Sequence, residues 1–182
     1  MSEYYLMSQL PSLDGISDTT PIPITEERFA ELCKRFLGKK ALDEFNKLSL
    51  MPPKIPEEST SLLIKKWNEG ERSLRLALAK ARAEKLKKQF NSESSDLPLA
   101  VVQIVRMAVE IENPLEAEMF LNRYRLDFLE TLRPMDTFSE DSVFYYGLKL
   151  KLILRLRQFD LAKGEAAYRN IYDSIISKED IQ

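Results

Sequence analysis

The feature that most constrains the fold is an uninterrupted helix-forming stretch over residues 57–90. It contains no proline and one glycine, Gly70, and it is rich in Leu, Ala, Lys, Arg and Glu, which have high helix propensities. At about 1.5 Å per residue, a single helix over this stretch would be roughly 50 Å long. A small compact domain does not need such a length. The sequence therefore predicts a long helical rod whose surface is available to a partner.

The second half of this stretch is basic. Residues 72–88 contain one acid, Glu84, and seven bases: Arg72, Arg75, Lys80, Arg82, Lys85, Lys87 and Lys88. Around this half the charge is segregated, with a net charge of −5 over residues 1–27, +8 over residues 28–90 and −5 over residues 91–182. Segments of opposite charge can neutralise each other within the fold, and we favour this interpretation over an external acidic partner.

Length and composition indicate one soluble domain. A chain of 182 residues with 44% hydrophobic and 31% charged residues can bury one hydrophobic core. No apolar run approaches the ~18 residues of a membrane span, and the first residues carry an acid where a signal peptide has a cation. The single cysteine, Cys33, excludes a disulfide within the chain. We expect a cytoplasmic domain over residues 1–182, with a possible subdivision at the polar stretch 91–96.

Caps and spacing predict the other elements. The apolar residues 4–7 should pin the N-terminus to the core as a short extended segment, and helix N-caps are expected at Thr25, Asn113 and Ser139. The most apolar segment, residues 97–112, is expected to be the central buried helix. The predicted helices cover residues 25–37, 39–48, 57–90, 97–112, 113–132, 140–159 and 160–176. Six or seven helices without a strand make an all-α helical bundle.

The long helix has two apolar stripes, which predicts neighbours on more than one side. The first stripe comprises Leu63, Trp67, Leu74, Leu78 and Ala81, and the second comprises Ala79, Ala83, Leu86 and Phe90. Gly70 is the expected position of a bend or of a close helix crossing.

The residue types speak against catalysis. The chain contains no histidine, which removes imidazole bases, Ser-His and Cys-His nucleophiles and most zinc, haem and di-iron sites. Cys33 is more consistent with a small buried hydrophobic residue than with a reactive thiolate. The acids Glu116 and Glu118 diverge on a helix. We therefore expect no catalytic residue, cofactor, metal ion or small-molecule substrate.

Charged and aromatic residues on two helices remain as a candidate contact surface, because Arg, Tyr and Trp dominate binding hot spots. For any one of these residues an internal role is favoured, with Trp67 and Tyr124 in the core and arginines paired to Glu118, Asp127 or Glu130. The candidate partner contacts are Arg72, Arg75, Lys80, Arg82, Lys85, Arg123 and Arg125.

Several of these segments also carry a family resemblance. They are the start Tyr4-Tyr5-Leu6 through Leu10-Pro11, the basic helix from Glu71 to Leu86, the run Asn113-Pro114-Leu115-Glu116-Ala117-Glu118 with Asp127-Phe128-Leu129, and the later blocks 147–151 and 159–165. In these blocks the sequence resembles an uncharacterised bacterial family of unassigned role. That family is encoded among V-type ATP synthase genes and is similar in context to the C-type adaptor of the V-type ATPase.

The resemblance implies a non-catalytic role in ion transport. The C-type adaptor is an all-helical protein that seats the central stalk on the membrane ring, so the implied partners are the stalk and ring subunits, and the implied location is cytoplasmic and peripheral to the inner membrane. C-type adaptors are longer and built from repeated helical units, and this sequence shows no internal repeat. No contact residue of those adaptors is therefore transferred to a position of this chain.

Two other functions stay open at this stage. The basic face over residues 72–88 could serve a nucleic-acid-binding or general protein-interaction module, although a pI near 5.5 and the lack of interleaved aromatic residues speak against nucleic acid. An enzyme based on carboxylates alone is the least favoured hypothesis.

Overall fold

The computed structural model describes residues 2–16, 20–55, 58–90, 97–158 and 164–172. These residues form eight helices and no β-strand, which confirms the all-α fold with one helix more than expected. The helices are α1 (Ser2–Gln9), α2 (Glu26–Phe36), α3 (Lys39–Asn46), α4 (Leu62–Lys85), α5 (Leu99–Glu110), α6 (Pro114–Thr131), α7 (Glu140–Leu156) and α8 (164–172). The predicted subdivision at residues 91–96 and the predicted helix start at residue 160 lie outside the described residues.

The additional helix is α1, where a short extended segment was predicted. Leu6 is fully buried, and Met7 and Leu10 pack against the same core. Positions 6, 7 and 10 share one face of a helix, whereas in a strand Leu6 and Met7 would point to opposite faces. The segment does attach the N-terminus to the core as expected, but it does so as a helix.

The predicted caps are confirmed. The side chains of Thr25, Asn113 and Ser139 accept hydrogen bonds from backbone N–H groups in the first turns of α2, α6 and α7. Each cap satisfies a donor that has no partner inside its helix.

Helix α4 is shorter than predicted at both ends, with 24 residues and a length of about 36 Å. It begins after Ser61, whose Oγ accepts a hydrogen bond from the Ile64 N–H at 3.1 Å. It ends where Lys87 adopts a positive φ of 52°. The N–H groups of Lys87 and Lys88 then donate to the carbonyls of Glu84 and Ala83, the bonding pattern of a Schellman motif. Residue 57, the predicted start, lies outside the described residues.

The early end of α4 leaves part of the predicted second stripe in water. Leu86 and Phe90 are exposed, with Leu86 at 65%, because both lie beyond the last helical turn. Ala79 and Ala83 are half-buried on the helix. The second stripe is therefore wrong for its last two residues.

The central helix is α7 and not the segment 97–112. Ten residues of α7 are buried, and the helix packs against α1, α2, α4 and α6. Helix α5 packs only against α4 and α6 among its closer neighbours and leaves Leu99 72% and Met107 52% exposed. The prediction failed because burial depends on how many neighbours surround a helix, whereas apolar composition alone does not report them.

Two apolar clusters form the interior. The larger contains Leu6, Phe29, Trp67, Phe144 and Leu148, and the smaller contains Leu74, Leu78, Val101, Val105 and Leu121, with further members in each. Helix α4 contributes to both clusters. Trp67 is buried as expected.

The contacts between helix ends define two ends of the bundle. Ser61 Oγ donates to Asp141 Oδ1 at 2.6 Å, so α4 and α7 start side by side, and we call this the proximal end. Lys85 Nζ donates to the Val109 carbonyl at 3.4 Å, so α4 and α5 finish side by side, next to the start of α6. We call this the distal end.

Candidate interaction surfaces

Three of the seven candidate contact residues are engaged inside the protein. Arg72 donates to the Pro53 carbonyl at 3.1 Å, and Arg75 donates to Glu71 Oε1 at 2.8 Å. Arg125 is buried and forms two hydrogen bonds with Glu71, at 2.9 and 3.1 Å. The structure thus places Arg125 in the interior and removes it from the candidate surface.

These arginines belong to a chain of charges that joins three helices. Glu71 of α4 binds Arg75 and Arg125, and Glu118 of α6 lies 3.5 Å from Arg125 and 2.5 Å from Arg155 of α7. Arg125 and Glu118 were expected to pair inside the bundle, and they do. Glu71 was not recognised as a member, although it lies four residues after Trp67 and three before Leu74, on the buried stripe of α4.

Glu71 separates the two apolar clusters, because Trp67 belongs to one and Leu74 to the other. It is only 2% exposed. A carboxylate that far from water remains charged only with hydrogen-bonded cations beside it. Burial, and secondarily the Glu71 charge, raise the pKa of the nearby Tyr124 phenol. The network ties α4, α6 and α7 together at the junction of the clusters.

The distal end carries the remaining basic candidates. Lys80, Arg82 and Lys85 are exposed, as are Lys87 and Lys88, and we call these five residues the distal basic surface. Lys85 is partly engaged at the carbonyl end of α5, where a cation is favourable. Arg123 is exposed on α6. The structure thus leaves four of the seven candidates available at the surface.

Acids share the distal end with these bases. Glu110 and Glu112, at the end of α5, and Glu116, in the first turn of α6, are exposed. This placement is in line with the expected neutralisation of the basic segment within the fold. The exposed Leu86 lies between Lys85 and Lys87, so the surface also offers apolar area.

The proximal end carries a different surface, made of aromatic residues. Tyr4 and Tyr5 of α1 are 53% and 59% exposed, and Phe138, just before α7, is 44% exposed. The Tyr4 ring lies 4.6 Å from the Phe138 ring and 5.9 Å from the Tyr5 ring, between centroids. Met135, in the same loop as Phe138, is fully exposed. We call these four residues the proximal aromatic patch; they were not among the predicted contacts.

A polar cleft holds the N-terminal segment against α6 and α7. Lys149 Nζ donates to Asp14 Oδ1 at 2.5 Å and to Glu130 Oε1 at 2.6 Å. The cleft has a volume of about 150 Å³, and Tyr145 and Tyr146 also line it. Tyr146 donates to the Pro11 carbonyl at 2.9 Å. The contacts join residues 135 positions apart in sequence.

The cleft shifts the pKa values of its members. The hydrogen bond from Lys149 holds the pKa of Asp14 below its ordinary value. Burial raises the pKa of Glu130, but hydrogen bonds from Lys149 and Tyr145 lower it further, so the net shift is downward. For Lys149 itself, burial lowers the pKa, and the hydrogen bonds to Asp14 and Glu130 more than reverse this. The charges therefore satisfy one another and lock the segment in place.

The other residues considered for chemistry have structural environments. Cys33 is fully buried, and burial raises the pKa of its thiol to about 12, so it is the small buried hydrophobic residue that was predicted. In the described residues, no group of three or more Cys, Asp or Glu side chains is arranged to hold a metal ion. No described helix has both the length and the apolar character that crossing a membrane requires.

Comparison with known proteins gives a family match for the later part of the chain. Residues 91–179 match a family described as a protein of unknown function, DUF2764. The second half of the chain is thus similar to an uncharacterised family. No curated protein and no solved structure shows significant similarity to the chain.

Proposed function

We propose that this protein is a non-catalytic component of a bacterial V-type ATP synthase, where it acts as an adaptor of the C type between the central stalk and the membrane ring. It supports ion transport from a cytoplasmic position and associates with the inner membrane only through its partners. The resemblance of the blocks around Tyr4, Arg72, Asn113 and Gly147 to a family encoded with V-type ATP synthase genes motivates this assignment.

The observation that carries the proposal is the pair of exposed surfaces at opposite ends of a stiff helical body. The distal basic surface and the proximal aromatic patch are separated by the length of α4, about 36 Å. An adaptor between two larger bodies needs two such ends and no pocket for chemistry. Charge on one end gives orientation and specificity, and aromatic residues on the other provide hot spots.

The interior suits a part that carries mechanical load. The buried charges of Glu71, Arg125 and Glu118 connect α4 to α6, and the bond from Arg155 extends the connection to α7. Breaking such a connection in a dry interior is costly. Forces applied at one end would therefore be transmitted through the helices without separating them.

Co-purification tests the proposal. The full chain, tagged and expressed in its native host, is expected to co-purify with stalk or ring subunits from membranes treated with mild detergent. Lys80→Glu/Arg82→Glu should reduce the recovered subunits at least tenfold, because it reverses two charges of the distal basic surface. Lys65→Glu/Lys66→Glu is the matched control, since both lysines are exposed on the first half of α4. An intact motor purified without this chain would contradict the proposal.

The alternative is a nucleic-acid-binding or general interaction module that uses the basic face over residues 72–88. Its support is weaker, because Arg72 and Arg75 are engaged internally and acids share the distal end. Nucleic-acid binding would weaken steeply with added salt. A salt-titrated binding assay with purified protein separates this function from the adaptor role.

A further inference from the structure

The proximal aromatic patch is a prepared surface with no role in the interior. Its rings contact one another, through the Tyr4–Phe138 and Tyr4–Tyr5 pairs, yet each ring remains about half exposed. Large apolar side chains that gather at a surface mark interaction sites more often than scattered ones do. Tyrosine, phenylalanine and methionine are enriched at the centres of protein interfaces.

The patch is held in shape before any partner arrives. On one side, Leu6, which follows Tyr5, is fully buried and anchors α1. On the other, the Asp136 carbonyl accepts hydrogen bonds from Ser142 Oγ at 2.6 Å and Ser139 Oγ at 2.9 Å. Asp136 Oδ1 also accepts from the Phe138 N–H at 3.0 Å. A fixed surface loses little conformational entropy on binding.

The charges beside the patch indicate the chemistry of its occupant. Asp136 and Glu140, which flank Phe138 in sequence, are exposed acids. Aromatic faces attract lysine and arginine through cation–π contacts, and acids at the rim of an interface favour a basic partner. The occupant that fits is a helix that presents aliphatic side chains with lysine or arginine next to them.

We infer that the proximal aromatic patch docks a cationic amphipathic helix of a neighbouring protein of the V-type ATP synthase. The inference deepens the proposed function and rests on it, because it assigns the second contact that an adaptor needs. A second copy of this chain is the competing occupant, since its distal basic surface combines lysines with the exposed Leu86.

The binding experiment compares two double variants of the full chain. Tyr5→Ser/Phe138→Ser removes exposed rings from the patch. Leu99→Ser/Met107→Ser is the matched control, because it removes exposed apolar side chains from α5 instead. Each purified protein is immobilised and incubated with two separate probes: the stalk-containing soluble subcomplex and the detergent-solubilised membrane sector of the host's V-type ATP synthase. The patch variant should lose at least tenfold of one captured subcomplex and keep the other within twofold, and the control should keep both.

A crosslinking experiment identifies the occupant. A photoreactive benzoylphenylalanine in place of Phe138 should crosslink to a lysine- or arginine-bearing helix of another V-type ATP synthase protein, and Tyr4→Ser/Tyr5→Ser should abolish that crosslink. Capture that is equal for the patch variant and the wild type would overturn the inference and leave the proposed function intact. Capture of neither subcomplex by the wild type would overturn both. A crosslink to the distal basic surface of a second copy would overturn the assignment to a different protein.

Discussion

Glu71 keeps a negative charge in the interior because two guanidinium groups hydrogen-bond to its carboxylate. Arg125, on the other helix, is equally dependent on Glu71, since its own side chain is only 7% exposed. At the scale of single residues, the pair is therefore one unit. Removal of either member leaves the other as an uncompensated buried charge.

Glu71→Leu is expected to destabilise the protein by about 3–5 kcal/mol, the usual cost of breaking a buried ion pair from one side. Arg125→Met should cost a similar amount, for the same reason. The double variant Glu71→Leu/Arg125→Met should recover most of the loss, because it removes both charges and keeps the volume apolar. Urea unfolding followed by circular dichroism measures all three. Losses that simply add in the double variant would contradict the pairing.

Lys149→Met should lower the free energy of unfolding at neutral pH by about 1–2 kcal/mol, a modest figure because Asp14 and Glu130 are partly exposed. Both carboxyls have lowered pKa values in the folded protein, so their contribution is complete above the ordinary values of 3.8 and 4.5 and is lost as pH falls through the folded values. The pKa of Lys149 is raised, so its contribution is lost only as pH rises through its folded value.

The stability difference between the wild type and Lys149→Met should therefore be constant from neutral pH down to about pH 5 and shrink in stronger acid. Thermal unfolding in a series of buffers measures it. Ser8→Ala provides a control, since Ser8 is an exposed residue of α1 away from the cleft lining. A difference that grows in acid would show that the carboxyls do not stabilise the fold through Lys149.

Among the elements, the crossing of α4 and α6 is the tightest contact built on a missing side chain. A Cβ on Gly70 would lie 2.4 Å from two atoms of the Phe128 ring. That ring stacks with Trp67 on one side and Tyr124 on the other, at centroid distances of 6.2 and 6.5 Å. It therefore has little room to move aside. The prediction of a close crossing at Gly70 is confirmed.

Gly70→Ala is expected to destabilise the protein by about 1–3 kcal/mol through overpacking, even though alanine raises helix propensity by about 1 kcal/mol. Gly70→Ala/Phe128→Leu should be less destabilised than the sum of its single changes, because a smaller side chain makes room for the methyl group. Denaturant unfolding of the four proteins gives the coupling. A stabilised Gly70→Ala protein would mean that the crossing is looser than the structure shows.

The elements also show how far sequence reasoning reaches. Helix positions follow from local signals, such as the caps at Thr25, Asn113 and Ser139, and the sequence carries those signals in full. Burial does not follow from local signals. Residues 97–112 are more apolar than α7, but α7 is enclosed by four helices and α5 is not. The contact surfaces were hardest to predict, because Arg125 and Arg123 look alike in sequence and differ only in which way α6 turns them.

For the whole molecule, unequal burial predicts unequal protection. Helix α7 is covered by four neighbours, whereas α5 buries only Val101, Val105 and Ala108. Amide hydrogen exchange should therefore be slow in α7, close to the rate for global unfolding, and faster in α5, through partial opening of the smaller cluster. Exchange measured by mass spectrometry on proteolytic fragments tests this. Equal protection of the two helices would indicate that both clusters unfold as one unit.

The hydrogen bonds that join Pro11 to Tyr146 and Asp14 to Lys149 also set an order of events at the ribosome. Each spans 135 positions, so the first helix emerges long before its main binding partner exists. At ~5–20 residues per second, the interval is roughly 7–27 s. Throughout that time Leu6 and Leu13 have no surface to cover them, and the nascent chain offers a chaperone two apolar anchors until α7 arrives.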